Sequence, residues 1–485
     1  MVFSDLLFLF LFLPLNLLFQ RLMPTIRGKN WVMLLFSLFF YAWGEPVYVL
    51  LLIGMSFVNW RCSLAIEGRK EQGLSAKAPL IAACVVSLGI LSIFKYGVFL
   101  LENVQALTGA SFAVPSIPLP IGISFYTFQI LTYTVDVYRG DAKAQKQFPM
   151  LLMYVSLFHQ CIAGPIVRYS HVEQEILHRR TTTADMARGV RRFTCGLAKK
   201  ALLANPCGEL ADSILLSTAT AGDAALAAEN LAQLSGTDAA ALALGVLAWM
   251  FQIYLDFSAY SDMAIGMGLM VGFHYRENFD YPYVSRSVTE FWRRWHISLG
   301  SFFRDYVYIP LGGNRRGAAR TILNLFLTWF LTGLWHGASW NYVLWGLYFF
   351  VFIALEKQLK EPFSRLPGLV RHIYLLVVAY FGWILFRFED LTLGFAVFRG
   401  LFRFSAPSFE SRILWQSHLY LLIVCAIACT PLTKLLGNYC ISDRAPAPVR
   451  LVSRWVSAVL PVLLLLLSAA ALAGDSYNPF IYFQF

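Results

Sequence analysis

The sequence predicts an all-α integral membrane protein whose helices cross the bilayer several times. Apolar residues make up 58% of its 485 residues and charged residues only 14%, whereas a soluble domain carries about 25% charged residues. The apolar residues are concentrated in blocks, several of which reach the roughly 20 residues that cross a bilayer core. Basic residues gather in some of the intervening loops and are absent from others, a pattern typical of multi-pass proteins.

The apolar blocks predict about ten to twelve membrane-embedded helices, including re-entrant segments. The first block is expected to be a retained helix and not a cleaved signal peptide, because Arg21 and Arg27 follow it instead of preceding it. No long soluble domain fits between the blocks, so residues 1–485 are expected to form a single membrane domain. The clearest blocks are 2–19, 79–101, 242–273, 342–355, 418–432 and 456–473.

Two apolar stretches are interrupted by helix-breaking residues. The stretch 31–60 is broken at Gly44-Glu45-Pro46 and is expected to be either a hairpin of two short helices or a re-entrant element. Ala163-Gly164-Pro165 forms a second break between basic flanks. Irregular backbone at membrane depth is tolerated only where protein or a water-filled cavity covers it. The two breaks therefore favour a helical bundle built around a central cavity or tunnel.

The distribution of charge predicts which loops face the cytoplasm. No Lys or Arg occurs between Lys200 and Arg276, so the acidic loop 207–238 is expected outside. Its neighbours, 168–200 and 276–320, are rich in arginine and are expected inside. Continued along the chain, this alternation places both the N-terminus and the C-terminus outside. The net charge of +11 follows from the same loops and does not require nucleic acid.

One histidine lies in the middle of an apolar hairpin. His336 is placed between the apolar runs 323–334 and 340–355, with Gly333 and Gly337 on either side. These glycines would allow close approach of a backbone or of a ligand. An ionisable group at membrane depth is costly and indicates a functional site. The alternative is a histidine that makes a hydrogen bond between helices.

Other polar residues of the same region are candidates with competing structural interpretations. His296 follows the string Phe291-Trp292-Arg293-Arg294-Trp295, which also suits an aromatic and basic anchor at the membrane interface. Asp256 and Asp262 are six residues apart, so they do not share a helical face and are expected to hold structure or to pair with arginines. The loop 304–316, with Gly312-Gly313-Asn314, suits a phosphate-bearing ligand. Taken alone, the loop also fits the ordinary charge bias of cytoplasmic loops.

The chain resembles the membrane-bound O-acyltransferase family, and most of all its branch of polysaccharide O-acetyltransferases. The resemblance rests on LPIGISFYTFQILTYTVDVYRGD at 119–141, HQCIAGPIVR at 159–168, the strings between 256 and 346, and SYNPFIYFQF at the end. It covers nearly the whole chain in order and is weakest at 201–240. It implies a catalytic core at about 119–357, followed by helices and an external aromatic tail at 372–485. No GxSxG, HExxH or P-loop motif competes with it, and no metal is expected.

The resemblance implies an acetyltransferase that uses acetyl-CoA as donor. It assigns the catalytic histidine to His336, in GLWHG, and a second functional histidine to His296. His336 would act as a general base on the attacking hydroxyl. Basic residues on the cytoplasmic face would attract the phosphates of acetyl-CoA. The residues expected to contact acetyl-CoA are Arg294, Arg304, Asn314, Arg315 and Trp335.

The C-terminal string FIYFQF suggests an acyl relay. It resembles the aromatic tail of a small partner in the related teichoic-acid D-alanylation systems, in which a tyrosine is proposed to accept the acyl group. Tyr482 is the matching phenol here. The alternative is an aromatic anchor at the membrane interface.

The implied function is the passage of acetyl groups across a bacterial cytoplasmic membrane to a polysaccharide outside. Delivery to sugar hydroxyls would need a periplasmic or extracellular partner of the SGNH type, because the chain itself has no large external domain. Peptidoglycan is slightly favoured as the acceptor over alginate, on overall resemblance. Two alternatives stay open: an acyltransferase for lipid or protein hydroxyls, and a transporter or flippase that uses the same cavity.

Overall fold

The regular structure of the protein is helical throughout the part that is described. The computed structural model describes residues 1–161, 164–216, 223–404 and 406–474, and within these ranges it contains no strand. The predicted all-α fold is therefore confirmed. Six of the described helices are long and apolar enough to cross a membrane: Tyr48–Glu71, Lys77–Thr108, Ala239–Val271, Gly368–Arg387, Phe409–Ala428 and Ala447–Gly474. The larger count of ten to twelve membrane-embedded segments stays a prediction.

The chain divides into two compact units. The first comprises Met1–Phe193 and Tyr260–Glu277, and the second comprises Thr194–Ala259 and Asn278–Phe485. The expectation of one membrane domain over 1–485 is not tested by this division and stays a prediction. The helices that begin in the first unit are α1 Leu13–Leu22, α2 Ile26–Gly44, α3 Tyr48–Glu71, α4 Lys77–Thr108, α5 Ile123–Arg139, α6 Phe148–Ser156, α7 Tyr169–His178 and α8 Thr183–Ala198, with a π-helical turn at Phe8–Phe12.

The second unit carries the longer run of helices. A π-helical segment, Lys199–Ala204, opens it, and two further irregular helices follow at Pro282–Val284 and Arg304–Tyr308. The α-helices that begin in this unit are α9 Asn205–Leu215, α10 Ala224–Gly236, α11 Ala239–Val271, α12 Val288–Arg294, α13 Ile297–Phe303, α14 Gly317–His336, α15 Trp340–Gln358, α16 Lys360–Arg365, α17 Gly368–Arg387, α18 Leu391–Leu401, α19 Phe409–Ala428, α20 Leu432–Ile441 and α21 Ala447–Gly474. Residues 260–271 of α11 belong to the first unit.

The predicted break at Gly44-Glu45-Pro46 separates two full helices. Helix α2 ends at Gly44 and α3 begins at Tyr48, with lengths of 19 and 24 residues. Two separate helices therefore flank the break, as the predicted hairpin requires, but both are longer than the short helices that were expected. Within this unit the carboxylate of Glu45 accepts a hydrogen bond from the backbone N–H of Ile121 at 3.2 Å, which fixes the chain just before α5. At the second break, residues 162–163 lie outside the described residues.

The candidate spans differ in how much protein surrounds them. Within the most apolar stretch of α11, 83% of the residues are buried, whereas the corresponding share for α21 is 6%. An apolar helix that is buried all round belongs to a protein core, and one that is open on most faces suits contact with lipid. Helix α11 therefore has the surroundings of a core helix, and α21 has the surface of a lipid-facing helix.

Candidate active site

The hairpin of α14 and α15 places His336 at its tip. Helix α14 ends at His336, and Gly337 follows in an extended conformation before α15 begins at Trp340. A Cβ on Gly333 would lie 2.4 Å from the carbonyl oxygen of Tyr342, and a Cβ on Gly346 would lie 2.4 Å from that of Trp329. Only glycine lets the two backbones approach so closely. Gly333 therefore allows close approach of a backbone, and not of a ligand, which were the two roles considered from the sequence.

Aromatic rings enclose His336. The imidazole is 3% exposed. The rings of Trp335 and Trp345 each lie edge-on to it with centroids 4.9 Å away, and Phe386 from α17 lies 5.2 Å away. These separations are within the range of favourable edge-to-face contacts. The packing fixes the orientation of the imidazole and excludes bulk water from three of its sides.

A strained turn between α12 and α13 carries His296. Its backbone is left-handed, with φ 44° and ψ 54°, a conformation that costs a non-glycine residue on the order of 1–3 kcal/mol. The turn follows a well-capped helix, since the Ser287 hydroxyl accepts from the N–H of Glu290 at 3.0 Å. The carboxylate of Glu356, on α15, accepts from the N–H groups of Val288 and Thr289 at 2.6 and 2.9 Å. Helix α12 is thereby tied to the helix that follows His336.

Asn278 holds the His296 turn from the opposite side. Its backbone oxygen accepts from the N–H of Ile297 at 2.9 Å. Its side-chain Oδ1 accepts from the N–H of Ser298 at 3.1 Å and from the Ser298 hydroxyl at 2.8 Å, and it lies 3.2 Å from His296 Nδ1. Asn278 is fully buried and His296 is 2% exposed. These contacts compensate for the strain of the left-handed turn.

The two histidines contact one indole. The ring of Trp335 lies 5.9 Å from that of His296 and 4.9 Å from that of His336, measured between centroids. The edge of Phe257, from α11, contacts His296 at 4.7 Å. The three residues that the sequence separated as a base, a second histidine and a donor-binding tryptophan therefore form a single cluster, which we call the histidine–tryptophan cluster (His296, Trp335 and His336).

His296 lies outside the six candidate membrane-spanning helices. Its burial also sets its protonation state. Enclosure by Phe257, Asn278 and Trp335 removes the water that would solvate an imidazolium, and this lowers the pKa of His296 to about 3. His296 is therefore neutral at physiological pH. A neutral imidazole can accept a proton or polarise a hydroxyl group, but it supplies no fixed positive charge.

The residues expected to bind phosphate have different surroundings. Arg294 is held between Glu290 at 3.0 Å and Asp280 at 3.2 Å, and Arg304 pairs with Asp305 at 2.6 Å. Arg315 is exposed, and no ion pair involves it among the described residues. Arg315 is therefore the arginine of this set whose charge is least neutralised.

Asn314 supports the loop that carries Arg315. Its Oδ1 accepts from the Nζ of Lys357 at 2.6 Å and from the hydroxyl of Tyr308. Gly312 and Gly313 have φ of 111° and 53°, a region that favours glycine, and Asn324 donates to the carbonyl of Gly313 at 3.0 Å. The Gly-rich turn is a fixed loop whose shape depends on these contacts.

The acidic residues of α11 make ion pairs in separate units. Asp256 pairs with Lys200 at 2.7 Å, and the two side chains are 1% and 4% exposed. In the first unit, Asp262 pairs with Arg192 at 2.7 Å. The expected pairing with an arginine is right for Asp262, whereas the partner of Asp256 is a lysine. Lys200 lies on the π-helical segment Lys199–Ala204, which the sequence did not indicate.

Several residues that contact the histidine–tryptophan cluster were not identified from the sequence. Trp345 and Phe386 are aromatic residues at ordinary helical spacing, so nothing distinguishes them from core residues. Asn278 stands within the string ENFDYPY at 277–283, where an uncharged polar residue among aromatic residues could have drawn attention to it. Tyr482 lies outside the described residues.

The chain is similar to known proteins along its whole length. The profile described as MBOAT, membrane-bound O-acyltransferase family, matches residues 141–398. A probable alginate O-acetylase AlgI of Azotobacter vinelandii is 36% identical over 524 residues, covering 100% of each chain. Its Pseudomonas putida counterpart is 37% identical over 508 residues, again covering 100% of each chain. A peptidoglycan O-acetyltransferase of Helicobacter pylori is 27% identical over 538 residues, which span 100% of this chain and 98% of the relative.

The profile matches more than half of the chain and includes the whole histidine–tryptophan cluster. The alginate relatives cover it from end to end at more than 30% identity. The resemblance inferred from the sequence motifs is therefore confirmed, and so is the multi-pass membrane character. The chain belongs to the membrane-bound O-acyltransferase family and is a membrane-bound acyltransferase.

Proposed function

We propose that this chain takes acetyl groups from cytosolic acetyl-CoA and delivers them across the membrane for O-acetylation of an extracytoplasmic polysaccharide. The names of its relatives, probable alginate O-acetylase and peptidoglycan O-acetyltransferase, support an acetyl group as the cargo and a polysaccharide as the acceptor. The alginate relatives are 36% and 37% identical, against 27% for the peptidoglycan relative. These identities favour an alginate-type polysaccharide as the acceptor. The sequence alone had slightly favoured peptidoglycan.

The observation that carries the proposal is the histidine–tryptophan cluster. A buried imidazole at the tip of an apolar hairpin is costly to maintain and is retained for chemistry. In the transfer, His336 accepts the proton of the attacking hydroxyl. The oxygen of that hydroxyl bonds to the carbonyl carbon of the thioester at the same time. The carbon–sulfur bond then breaks, and the proton passes to the departing sulfur of CoA. A positioned general base of this kind contributes roughly 10²–10⁴-fold in rate.

The donor would enter from the cytoplasmic side. Arg315 and the loop that carries it would bind the phosphates of acetyl-CoA, because guanidinium groups pair well with phosphate oxygens. Arg304, Asn314 and Arg294 would shape this surface, since carboxylates or loop contacts already engage their polar atoms. Trp335 would contact the acetyl end of the donor, next to both imidazoles.

The acceptor side needs a further protein. We propose a secreted or periplasmic SGNH-type O-acetyltransferase as partner, with this chain in the bacterial cytoplasmic membrane and both of its ends outside. Tyr482 would accept the acetyl group before the partner does. The Tyr482→Phe protein should fold normally but should not transfer acetyl groups. Unchanged acetylation of the polysaccharide would show that Tyr482 is not an acetyl acceptor.

The sidedness can be tested in vesicles that hold the purified protein. Acetyl-CoA with a labelled acetyl group is supplied on the cytoplasmic face, and alginate with the partner protein is supplied on the other face. The proposal predicts labelled polysaccharide, loss of label with His336→Ala, and full activity with His178→Ala, which alters an exposed histidine on α7. Labelled lipid or protein would favour the acyltransferase alternative. Transport without release of CoA would favour a transporter and contradict the proposal.

A further inference from the structure

The side-chain oxygen of Asn278 faces a ring nitrogen of His296. Oδ1 lies 3.2 Å from Nδ1 of the imidazole, and both side chains are buried. A neutral imidazole carries one proton, on either Nδ1 or Nε2, and its partners decide which nitrogen holds it. The identity of the Asn278 atom therefore determines which nitrogen of His296 keeps a lone pair.

The neighbouring serine shows that this atom is the oxygen. The backbone N–H of Ser298 points at the same atom from 3.1 Å, and the Ser298 hydroxyl lies 2.8 Å from it. A backbone N–H can only donate, so it cannot face the NH₂ group of an amide. The usual ambiguity between the two ends of an asparagine amide is thereby removed.

An acceptor opposite Nδ1 leaves one neutral form of the imidazole favourable. The Ser298 hydroxyl also lies 3.4 Å from Nδ1, but its one proton is donated to Asn278 at the shorter distance of 2.8 Å. Nδ1 must therefore carry the proton and donate it to Asn278, and the lone pair must then be on Nε2. The alternative tautomer would set the Nδ1 lone pair against a buried oxygen, which is repulsive at 3.2 Å. The backbone also holds the ring in place, since the carbonyl of Asn278 accepts from Ile297 at 2.9 Å.

We propose that Asn278 is a positioning residue that fixes His296 as the Nδ1-protonated tautomer, with Nε2 as its proton-accepting atom. Asn278 acts through His296 and does not itself contact the reacting atoms. In transfer, Nε2 of His296 accepts a hydrogen bond from the hydroxyl or thiol that approaches the cluster. The contribution to catalysis rests on the proposed acetyl transfer, whereas the tautomer is a property of the protein alone.

The tautomer can be measured without any reaction. Nitrogen NMR of the full-length protein carrying ¹⁵N-histidine distinguishes a protonated from an unprotonated ring nitrogen, and His296→Ala identifies the relevant signals. The proposal predicts a protonated Nδ1 and an unprotonated Nε2 in the native protein. Asn278→Asp keeps an oxygen acceptor and should keep Nδ1 protonated, whereas Asn278→Ala should populate the other tautomer. A native protein with its proton on Nε2, or an unchanged spectrum in Asn278→Ala, would overturn the proposal.

Kinetics separate positioning from simple loss of structure. Asn278→Ala should lower kcat for release of CoA by about 10–100-fold with KM nearly unchanged, the usual size of such supporting contacts. Asn59→Ala removes a matched buried asparagine of the first unit, whose side chain bonds Met55 and Ser87, and it should keep the native tautomer and kcat. An Asn278→Ala effect on KM alone would contradict the positioning role. A second outcome separates the two parts of the proposal. If the native protein shows the predicted tautomer but His296→Ala releases CoA at the native rate, Asn278 fixes the tautomer and His296 has no role in transfer.

Discussion

The indole of Trp335 lies edge-on to the imidazole of His336, with ring centroids 4.9 Å apart and an angle of 80° between the planes. The same indole contacts His296 at 5.9 Å. One side chain therefore sets the positions of both candidate catalytic rings, although the histidines are 40 residues apart in sequence and belong to different helical segments. Trp335 is therefore part of the site together with both histidines.

Two replacements of Trp335 should show whether the site needs an aromatic ring at this position. Trp335→Ala removes a buried aromatic ring, which costs about 3–5 kcal/mol of stability and should abolish turnover because both imidazoles lose a neighbour. Trp335→Phe keeps an aromatic contact and should retain measurable activity. Thermal unfolding in detergent and release of CoA are the measurements. The control is Trp455→Ala on α21, where the indole is 68% exposed. Equal effects of the two alanine substitutions would argue against the cluster.

The glycine contact in the α14–α15 hairpin gives a second prediction. In Gly333→Ala the new methyl group would meet the carbonyl oxygen of Tyr342 at 2.4 Å, so the two helices must separate. Overpacking of this kind costs about 1–3 kcal/mol, and it should displace His336, three residues on. We expect a lower Tm and a larger fall in activity. Gly89→Ala, on α4, has nothing within 4 Å of the new Cβ and should change neither quantity.

The carboxylate of Glu356 joins the segments that carry the two histidines. It accepts from two N–H groups at the start of α12 and from the Thr289 hydroxyl at 2.6 Å. Glu356→Ala leaves these buried donors without an acceptor, at a cost of about 1–2 kcal/mol, and should reduce turnover by loosening the His296 turn. Glu361→Ala, an exposed carboxylate on α16, is the matched control. A stable and fully active Glu356→Ala protein would show that this link is not needed.

Acid should destabilise the protein partly through His296. Burial lowers the pKa of His296 to about 3, while an unfolded histidine titrates near 6.5. Between these values the unfolded chain binds one proton more than the folded chain, so the free energy of unfolding falls as the pH falls below about 6.5. His296→Asn, which tolerates the left-handed backbone, should lose less stability between about pH 7 and about pH 5. Parallel Tm curves for the two proteins would contradict this assignment.

Sequence reasoning predicted the elements of this protein better than their contacts. The apolar blocks at 79–101, 242–273 and 456–473 correspond to α4, α11 and α21, because length and hydropathy are local properties. The break at Gly44-Glu45-Pro46 was also local, and it was predicted correctly. The resemblance of whole strings to a family singled out His336 and His296, which composition alone could not distinguish from core histidines.

The sequence could not predict what the candidate residues contact. Gly333 and Gly337 were compatible with a ligand or with a backbone, and only the hairpin geometry shows that Tyr342 lies against both. The left-handed turn at His296 is held by hydrogen bonds of Asn278 to His296 and Ser298, which are 18 and 20 residues away in sequence. No periodic pattern predicts contacts at these separations. The arginines were recognised as basic loop residues, but their pairing was not predicted. The pairs with Glu290 and Asp305 are local in sequence, whereas the pair of Arg294 with Asp280 depends on the fold.

The central claim is that the imidazole of His336 takes part in acetyl transfer, and one measurement tests it most directly. The purified proteins, native, His336→Gln and His178→Ala, are compared for release of CoA from acetyl-CoA, with equal Tm values showing that each is folded. We predict that His336→Gln loses activity by about 10²–10⁴-fold while His178→Ala retains it. A folded His336→Gln protein that releases CoA at the native rate would contradict the claim.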